Sequence, residues 1–199
     1  MHNSSIMLYP ALKNNPRPHV AGLDISLTST GFYLKSVYSD GDDYFYHIVT
    51  QKKGGTDSER IDFITQMVLE DLTNPLYPVI AVCLEDYGQV NPRAGKLMVR
   101  AEIVGCIKQG LRYAGIPYYT VSPNGLKKFA TGFGGTRKGE KLKEAVMQAA
   151  SNAGFDTNVS DEADAFWAAN LMEAIVKNAH HGVDVQRVNP TGFTFNKKY

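Results

Sequence analysis

His19-Val-Ala-Gly-Leu-Asp24-Ile-Ser26 is a short apolar run with one carboxylate set inside it. The run reads as a largely buried strand. Aspartate is disfavoured in strands and costly to bury without a partner, so Asp24 sits where packing alone would not choose it. Thr28-Ser-Thr-Gly31 is turn chemistry, and Phe32 to Tyr38 alternates as a second strand. Ser39-Asp-Gly-Asp-Asp43 is a hairpin turn, with Gly41 suited to positive φ, and Tyr44 to Gln51 returns as a third strand. Three strands joined so tightly predict an antiparallel meander.

Beyond the meander, Asp57 is a candidate cap for a helix with Arg60 in its next turn. Ile61, Ile64, Met67, Val68, Leu69 and Leu72 give that helix an apolar face, and Pro75 and Pro78 end it. Val79 to Leu84 is a continuous apolar run, as in a central strand covered on both faces, and it stops at Glu85-Asp86. A long helix is expected from about Ala94 to Tyr113, then a short strand from Tyr118 to Val121. Ser122-Pro123 offers a cap and a first-turn proline for a helix through Phe129. Thr131-Gly-Phe-Gly-Gly-Thr136 is a glycine loop. Helices follow over Lys141 to Ala153 and Ser160 to Asn178, the latter capped by Ser160. The order βββαβαβααα predicts one α/β domain with a mixed sheet over 19–182. It is flanked by an extended polar arm over 1–18 and a tail without periodicity over 183–199.

The chain has 199 residues, of which 43% are hydrophobic and 21% charged, which excludes a disordered chain, a collagen-like fibre and a disulfide mini-protein. No apolar run nears the roughly 20 residues of a membrane helix, and no secretory leader is visible. Cys83 and Cys106 lie in apolar patterns and read as buried small hydrophobes in a reducing compartment, so a cytoplasmic protein is expected. The net charge of +1 conceals a strong asymmetry. From Arg93 to Lys143 there are eleven Lys/Arg, among them Arg93, Lys96, Lys127, Lys128, Arg137, Lys138 and Lys141, against only Glu102 and Glu140. The rest of the chain has ten bases and eighteen acids. One basic third on a neutral protein suits a polyanion such as nucleic acid, although solvated helix faces give the same count.

Four carboxylates are candidates for the chemistry. Asp24 interrupts a strand, Glu85 ends the most apolar strand, and Asp161 and Asp164 lie three apart at the start of the last helix. That helix face continues through Ala165, Ala168, Leu171, Met172 and Ile175 toward the core. Each acid has an ordinary explanation: a turn cap or lysine pair for Asp24, a solvated strand end for Glu85, the helix dipole for Asp161. All four ordinary explanations together are less economical, because the element order brings these acids to one edge. Such a cluster repels itself unless divalent cations neutralise it, and an oxygen-only donor set selects Mg²⁺ or Mn²⁺. Two such ions, with a basic segment beside them, suit phosphodiester hydrolysis.

With these residues in place the sequence resembles the RuvC-type Holliday junction resolvases of the ribonuclease H-like superfamily. Gly22-Leu-Asp24-Ile-Ser26 with Thr30-Gly31 is similar to the family's first-strand motif, and Leu84-Glu85-Asp86-Tyr87 to its second acidic strand. Leu126-Lys127-Lys128 through Arg137-Lys138 resembles the lysine-bearing loop, and Ser160-Asp-Glu-Ala-Asp-Ala165 the final D-x-x-D-A motif. The resemblance implies a five-stranded mixed sheet of order 3-2-1-4-5 flanked by helices. It also implies two Mg²⁺ ions per subunit on Asp24, Glu85, Asp161 and Asp164, with Mn²⁺ able to substitute. The expected protein is a homodimer that cuts two strands of a four-way or branched DNA junction symmetrically, in recombination and repair.

Lys127 and Lys138 match lysines that contact DNA and support catalysis. Tyr87 falls where the family places an aromatic wedge, a core tyrosine being the alternative. The long arm, the polar Ser39–Asp43 turn and the Asn91–Gly95 loop depart from the bacterial pattern and point to a divergent, phage-encoded kind. The location implied is therefore a bacterial cytoplasm or a phage-infected host cell.

Ile103, Val104, Ile107 and Leu111 of the long helix are candidates for the dimer contact, with packing on the sheet as the other role. Trp167 is expected in the core or at the dimer contact, and His180-His181 at the surface. Competing readings are a ribonuclease on RNA–DNA hybrid, a non-catalytic junction-binding module and a small kinase-like ATPase. The residues do not name a branch-migration helicase as partner.

Overall fold

The sheet is laid out as the meander predicts, and its remaining strands are added on one side. The structure, a computed structural model, describes residues 17–38, 41–50, 55–85, 96–132, 140–180 and 194–195. Strand β1 (His19–Asp24) pairs antiparallel with β2 (Ser29–Ser36), which pairs antiparallel with β3 (Tyr44–Val49). After helix α1 (Asp57–Leu72), β4 (Val79–Glu85) lies parallel to β1 on its other side. Helix α2 (Lys96–Tyr113) leads to β5 (Tyr118–Val121), parallel to β4. The order β3-β2-β1-β4-β5 is the expected one. A two-residue strand, β6 (Thr194–Phe195), extends it by pairing antiparallel with β5, which the unpatterned tail did not announce.

Three helices close the chain: α3 (Pro123–Thr131), α4 (Glu140–Asn152) and α5 (Ser160–His180). Period-two alternation divides the sheet between two helical layers. Ala21, Leu23, Phe32, Leu34, Val82 and Leu84 face α1 and α2, where they meet Ile64, Val68, Ile103, Ile107 and Leu111. Val20, Ala81, Cys83 and Val121 face the other way, onto Leu126 of α3 and Ala168, Leu171, Met172 and Ile175 of α5. A third cluster ties α4 to α5 and β2 through Val146, Ala150, Phe155, Phe166 and Tyr33.

Helix α5 approaches the sheet closely at two glycines. A Cβ at Gly22 would run into the backbone of Ala165 and Ala169, and one at Gly31 into the backbone of Asp161. Ala165, Ala168 and Ala169 supply the small surface on the helix side. The contact brings the first turns of α5 down onto β1 and β2, which places the acids of that helix.

Several expectations need correction. Thr56, not Asp57, caps α1: its side chain accepts from Glu59 N–H while Glu59 reaches back, in a capping box. Asp57 instead pairs with Arg60, which is itself buried and also donates to the carbonyls of Leu27 and Thr50. Ser160 is the first residue of α5 rather than its cap, because Ala163 N–H already bonds to the Val159 carbonyl. Ser122 does cap α3, accepting from Gly125 N–H.

Cys83 is buried as expected, but Cys106 lies on the exposed side of α2. Ile103, Ile107 and Leu111 are fully buried in the core, so they are not available to a partner chain. Trp167 is a core contact, packed edge-on to Phe129 and Phe166, with its Nε1 donating to the Val146 carbonyl. Most of the arm and tail, Ser39, Asp40, His181 and the His180 side chain lie outside the described residues. No helix among the described residues is long and apolar enough to cross a membrane.

Candidate metal centre

Asp24 is the last residue of β1 and Glu85 the last of β4. The two strands are parallel neighbours paired up to Leu23 with Leu84, so Asp24 and Glu85 follow side by side, each still paired to its other neighbour, Asp24 with Gly31 and Glu85 with Val121. Alternation puts both acids on the face of Gly22 and Cys83, toward α5. Asp164, in the second turn of α5, comes down onto the same spot because Gly22 and Gly31 admit the helix. One carboxylate oxygen from each of Asp24, Glu85 and Asp164 lies within 4.8 Å of the others. All three residues are buried, at 5%, 4% and 9% exposure.

Electrostatics show the strain of this arrangement. Burial, then the Asp24 charge, pushes the Asp164 carboxyl up to about 7; Lys127 pulls the other way, Asp161 adds to the rise and Lys143 opposes it. Asp161 is therefore close enough to act on Asp164 but does not join the three-carboxylate group. It is half-buried and accepts a hydrogen bond from the Ser29 hydroxyl. The turn after Asp24 holds that serine in place. Ser26 Oγ donates to the Ser29 carbonyl at 2.6 Å, and Thr30 Oγ1 donates to the Ser26 carbonyl at 2.8 Å. The start of α5 is also tied by Glu162, which accepts from Thr157 Oγ1 at 2.5 Å and lies 3.6 Å from His47 Nδ1 on β3.

Of the basic residues singled out in the sequence, Lys127 is half-buried beside Asp164, while Lys128 and Lys141 are exposed on α3 and α4. Tyr87, Arg93, Arg137, Lys138 and the Lys96 side chain lie outside the described residues. Two cations escaped the sequence reading as members of the site. Lys143, one turn into α4, acts on Asp164. Arg100 of α2 places Nη2 3.8 Å from Asp24 Oδ1.

Carboxylate oxygens alone, without sulfur or imidazole, form a hard donor set, and their burial at close range needs positive charge. The residues present fit a hard divalent cation on Asp24, Glu85 and Asp164, with Asp161 at its margin.

No family model matches the sequence, and no curated protein does. Among solved structures, Thermus thermophilus RuvC in complex with a Holliday junction substrate is similar at TM-score 0.61. That match covers 82% of this chain and 96% of the other at 22% identity. The T. thermophilus RuvC structure gives a TM-score of 0.61 over 83% and 97% at 23% identity. The chain has the RuvC-type resolvase fold. Both matches span more than four fifths of this chain and nearly all of RuvC. The sheet order, with parallel β1 and β4 at its centre, is what puts two strand-end acids next to each other in such a fold.

Proposed function

We propose that the protein is a Mg²⁺-dependent endonuclease that cuts four-way or branched DNA junctions by phosphodiester hydrolysis and works as a homodimer. The observation that carries this reading is the cluster of Asp24, Glu85 and Asp164, three buried acids from three elements with ligand oxygens within 4.8 Å. A structural role would not concentrate charge in this way. A pure DNA-binding module gains nothing from buried negative charge beside phosphates.

Asp24, Glu85 and Asp164 would hold the cations, with Asp161, bonded to Ser29, at their margin. Divalent ions held there would supply an acidified water and charge neutralisation at the phosphoryl oxygens. The chain's own contribution is order. The parallel strand pair fixes Asp24 against Glu85, the glycines fix the depth of α5, and Ser29 fixes Asp161. Lys127 and Lys143 favour the ionised form of Asp164, the form able to ligate. Exposed Lys128 and Lys141 extend this positive surface along α3 and α4 to meet the DNA backbone, and Arg93, Lys96, Arg137 and Lys138 are assigned to DNA contact from the sequence alone.

Two sites related by a two-fold axis would match the near two-fold symmetry of a junction. The outer face of α2 suits the contact. Met98 and Tyr113 are exposed at 70% and 84%, and a side chain at Gly105 between them would meet nothing within 4 Å.

A panel of end-labelled junction, flap, linear duplex and RNA–DNA hybrid, incubated with Mg²⁺ or EDTA, tests the proposal. Paired cuts in the junction that require Mg²⁺ are expected. Faster cutting of hybrid than of junction would move the protein to the ribonuclease reading.

A further inference from the structure

Arg100 lies in the second turn of α2, in the layer across the sheet from α5, yet its head reaches the acidic cluster past the end of β1. Nε donates to the Ile25 carbonyl at 2.7 Å, a firm hydrogen bond to backbone just beyond Asp24. Nη2 then stands 3.8 Å from Asp24 Oδ1, at the outer limit of an ion pair. The strongest arginine–carboxylate pairs take the two-pronged arrangement, with two parallel bonds of about 2.7–2.9 Å. Here the backbone bond sets the guanidinium beside the carboxylate rather than on it. The Arg100 side chain is 29% exposed against 6% for Asp24, so the cation lines the mouth of the site and the acid its floor.

A DNA strand approaching three buried carboxylates is repelled by their negative charge. Lys127 and Lys143 offset it from the α3 and α4 side. Arg100 does so from the α2 side, with a planar donor fork that matches phosphate. We propose that Arg100 contacts a backbone phosphate of the strand held at the site. The proposal rests on the nuclease reading for its substrate, although its test does not require cleavage.

The test uses four-way junctions carrying one uncharged methylphosphonate at successive positions of a strand, bound in EDTA to wild type and to Arg100→Gln. Wild type is expected to lose about tenfold in affinity at one or two positions. The variant binds the unmodified junction about tenfold more weakly and shows no further loss at those positions, while penalties elsewhere persist. Identical penalty profiles in the two proteins would overturn the proposal and leave Arg100 as a tie between α2 and the end of β1. If Arg100→Gln fails to fold, Arg100→Lys, which keeps the charge without the fork, takes its place; a reduced penalty at those positions is then expected. Wild type that binds junctions but leaves them uncut in Mg²⁺ overturns the nuclease reading, and the EDTA profiles still decide whether Arg100 meets a phosphate.

Discussion

At the scale of single residues, Asp164 sets the pH behaviour of the site. Its folded-state pKa of about 7 stands above the 3.8 of a free side chain, chiefly through burial and then Asp24. Between those values the folded protein holds a proton that the unfolded chain has lost. Stability from this group is therefore present below about pH 4 and falls as pH rises toward 7. Asp164→Asn removes the dependence. In EDTA at pH 8 the variant should melt several degrees above wild type, with the gap narrowing at pH 5 and closing near pH 4. Mg²⁺ should raise the wild-type midpoint and leave that of the variant nearly unchanged. A variant that melts below wild type at both pH values would contradict the buried-acid account.

Lys127 lowers the same pKa, so Lys127→Ala should shift the acid limb of the cleavage pH profile upward. It should also reduce the salt slope of DNA binding by about 0.9. An unmoved profile and slope would place Lys127 away from both groups.

The residues also show what was legible in the chain. Asp24 and Glu85 could be found because each breaks or ends an apolar strand, and Asp164 because of its D-x-x-D spacing. The sequence could not show that Ser29 holds Asp161 aside, since the partners lie 132 residues apart. Arg100 was hidden for the same reason. Its bond to Ile25 spans 75 residues, and in the helix pattern it reads as one more solvated base.

At the scale of elements, the depth of α5 decides whether three acids meet. Gly22→Ala sets a methyl group against the backbone of Ala165 and Ala169, neither of which is a flexible side-chain end. The helix must move outward, carrying Asp164 with it. The expected cost is about 1–3 kcal/mol in urea unfolding, with cleavage reduced by about 100-fold. A variant that keeps full cleavage would mean that the approach at Gly22 is not needed.

Arg60 plays the comparable part on the other layer, joining α1 to the carbonyls of Leu27 and Thr50. Arg60→Ala should cost about 2–4 kcal/mol, because buried acceptors lose their donor. Strand order and helix positions could be read from alternation and turns. The faces of α2 could not: Ile103, Ile107 and Leu111 look equally suited to the core and to a partner until α1 is seen packed on them. Thr56 was missed as the cap because Asp57 beside it also carries a side-chain oxygen able to accept from a first-turn N–H.

At the scale of the whole molecule, an acidic centre by itself cannot choose a junction over a duplex, since both offer the same phosphodiester bond. On the proposed reading the choice comes from the spacing of two sites in a dimer. Met98→Glu with Tyr113→Glu should therefore give a monomer by sedimentation, with paired junction cuts replaced by slow single nicks. A dimer that survives both changes would move the interface off α2. Asp24, Glu85 and Asp164 are proposed to form a metal centre that cuts junction DNA. Single-turnover cleavage of an end-labelled four-way junction in Mg²⁺, run side by side with wild type and Asp164→Asn, tests it most directly. The account predicts symmetric cuts by wild type and a rate lower by about 1,000-fold or more in the variant, with junction binding retained. Cleavage by Asp164→Asn near the wild-type rate would contradict it.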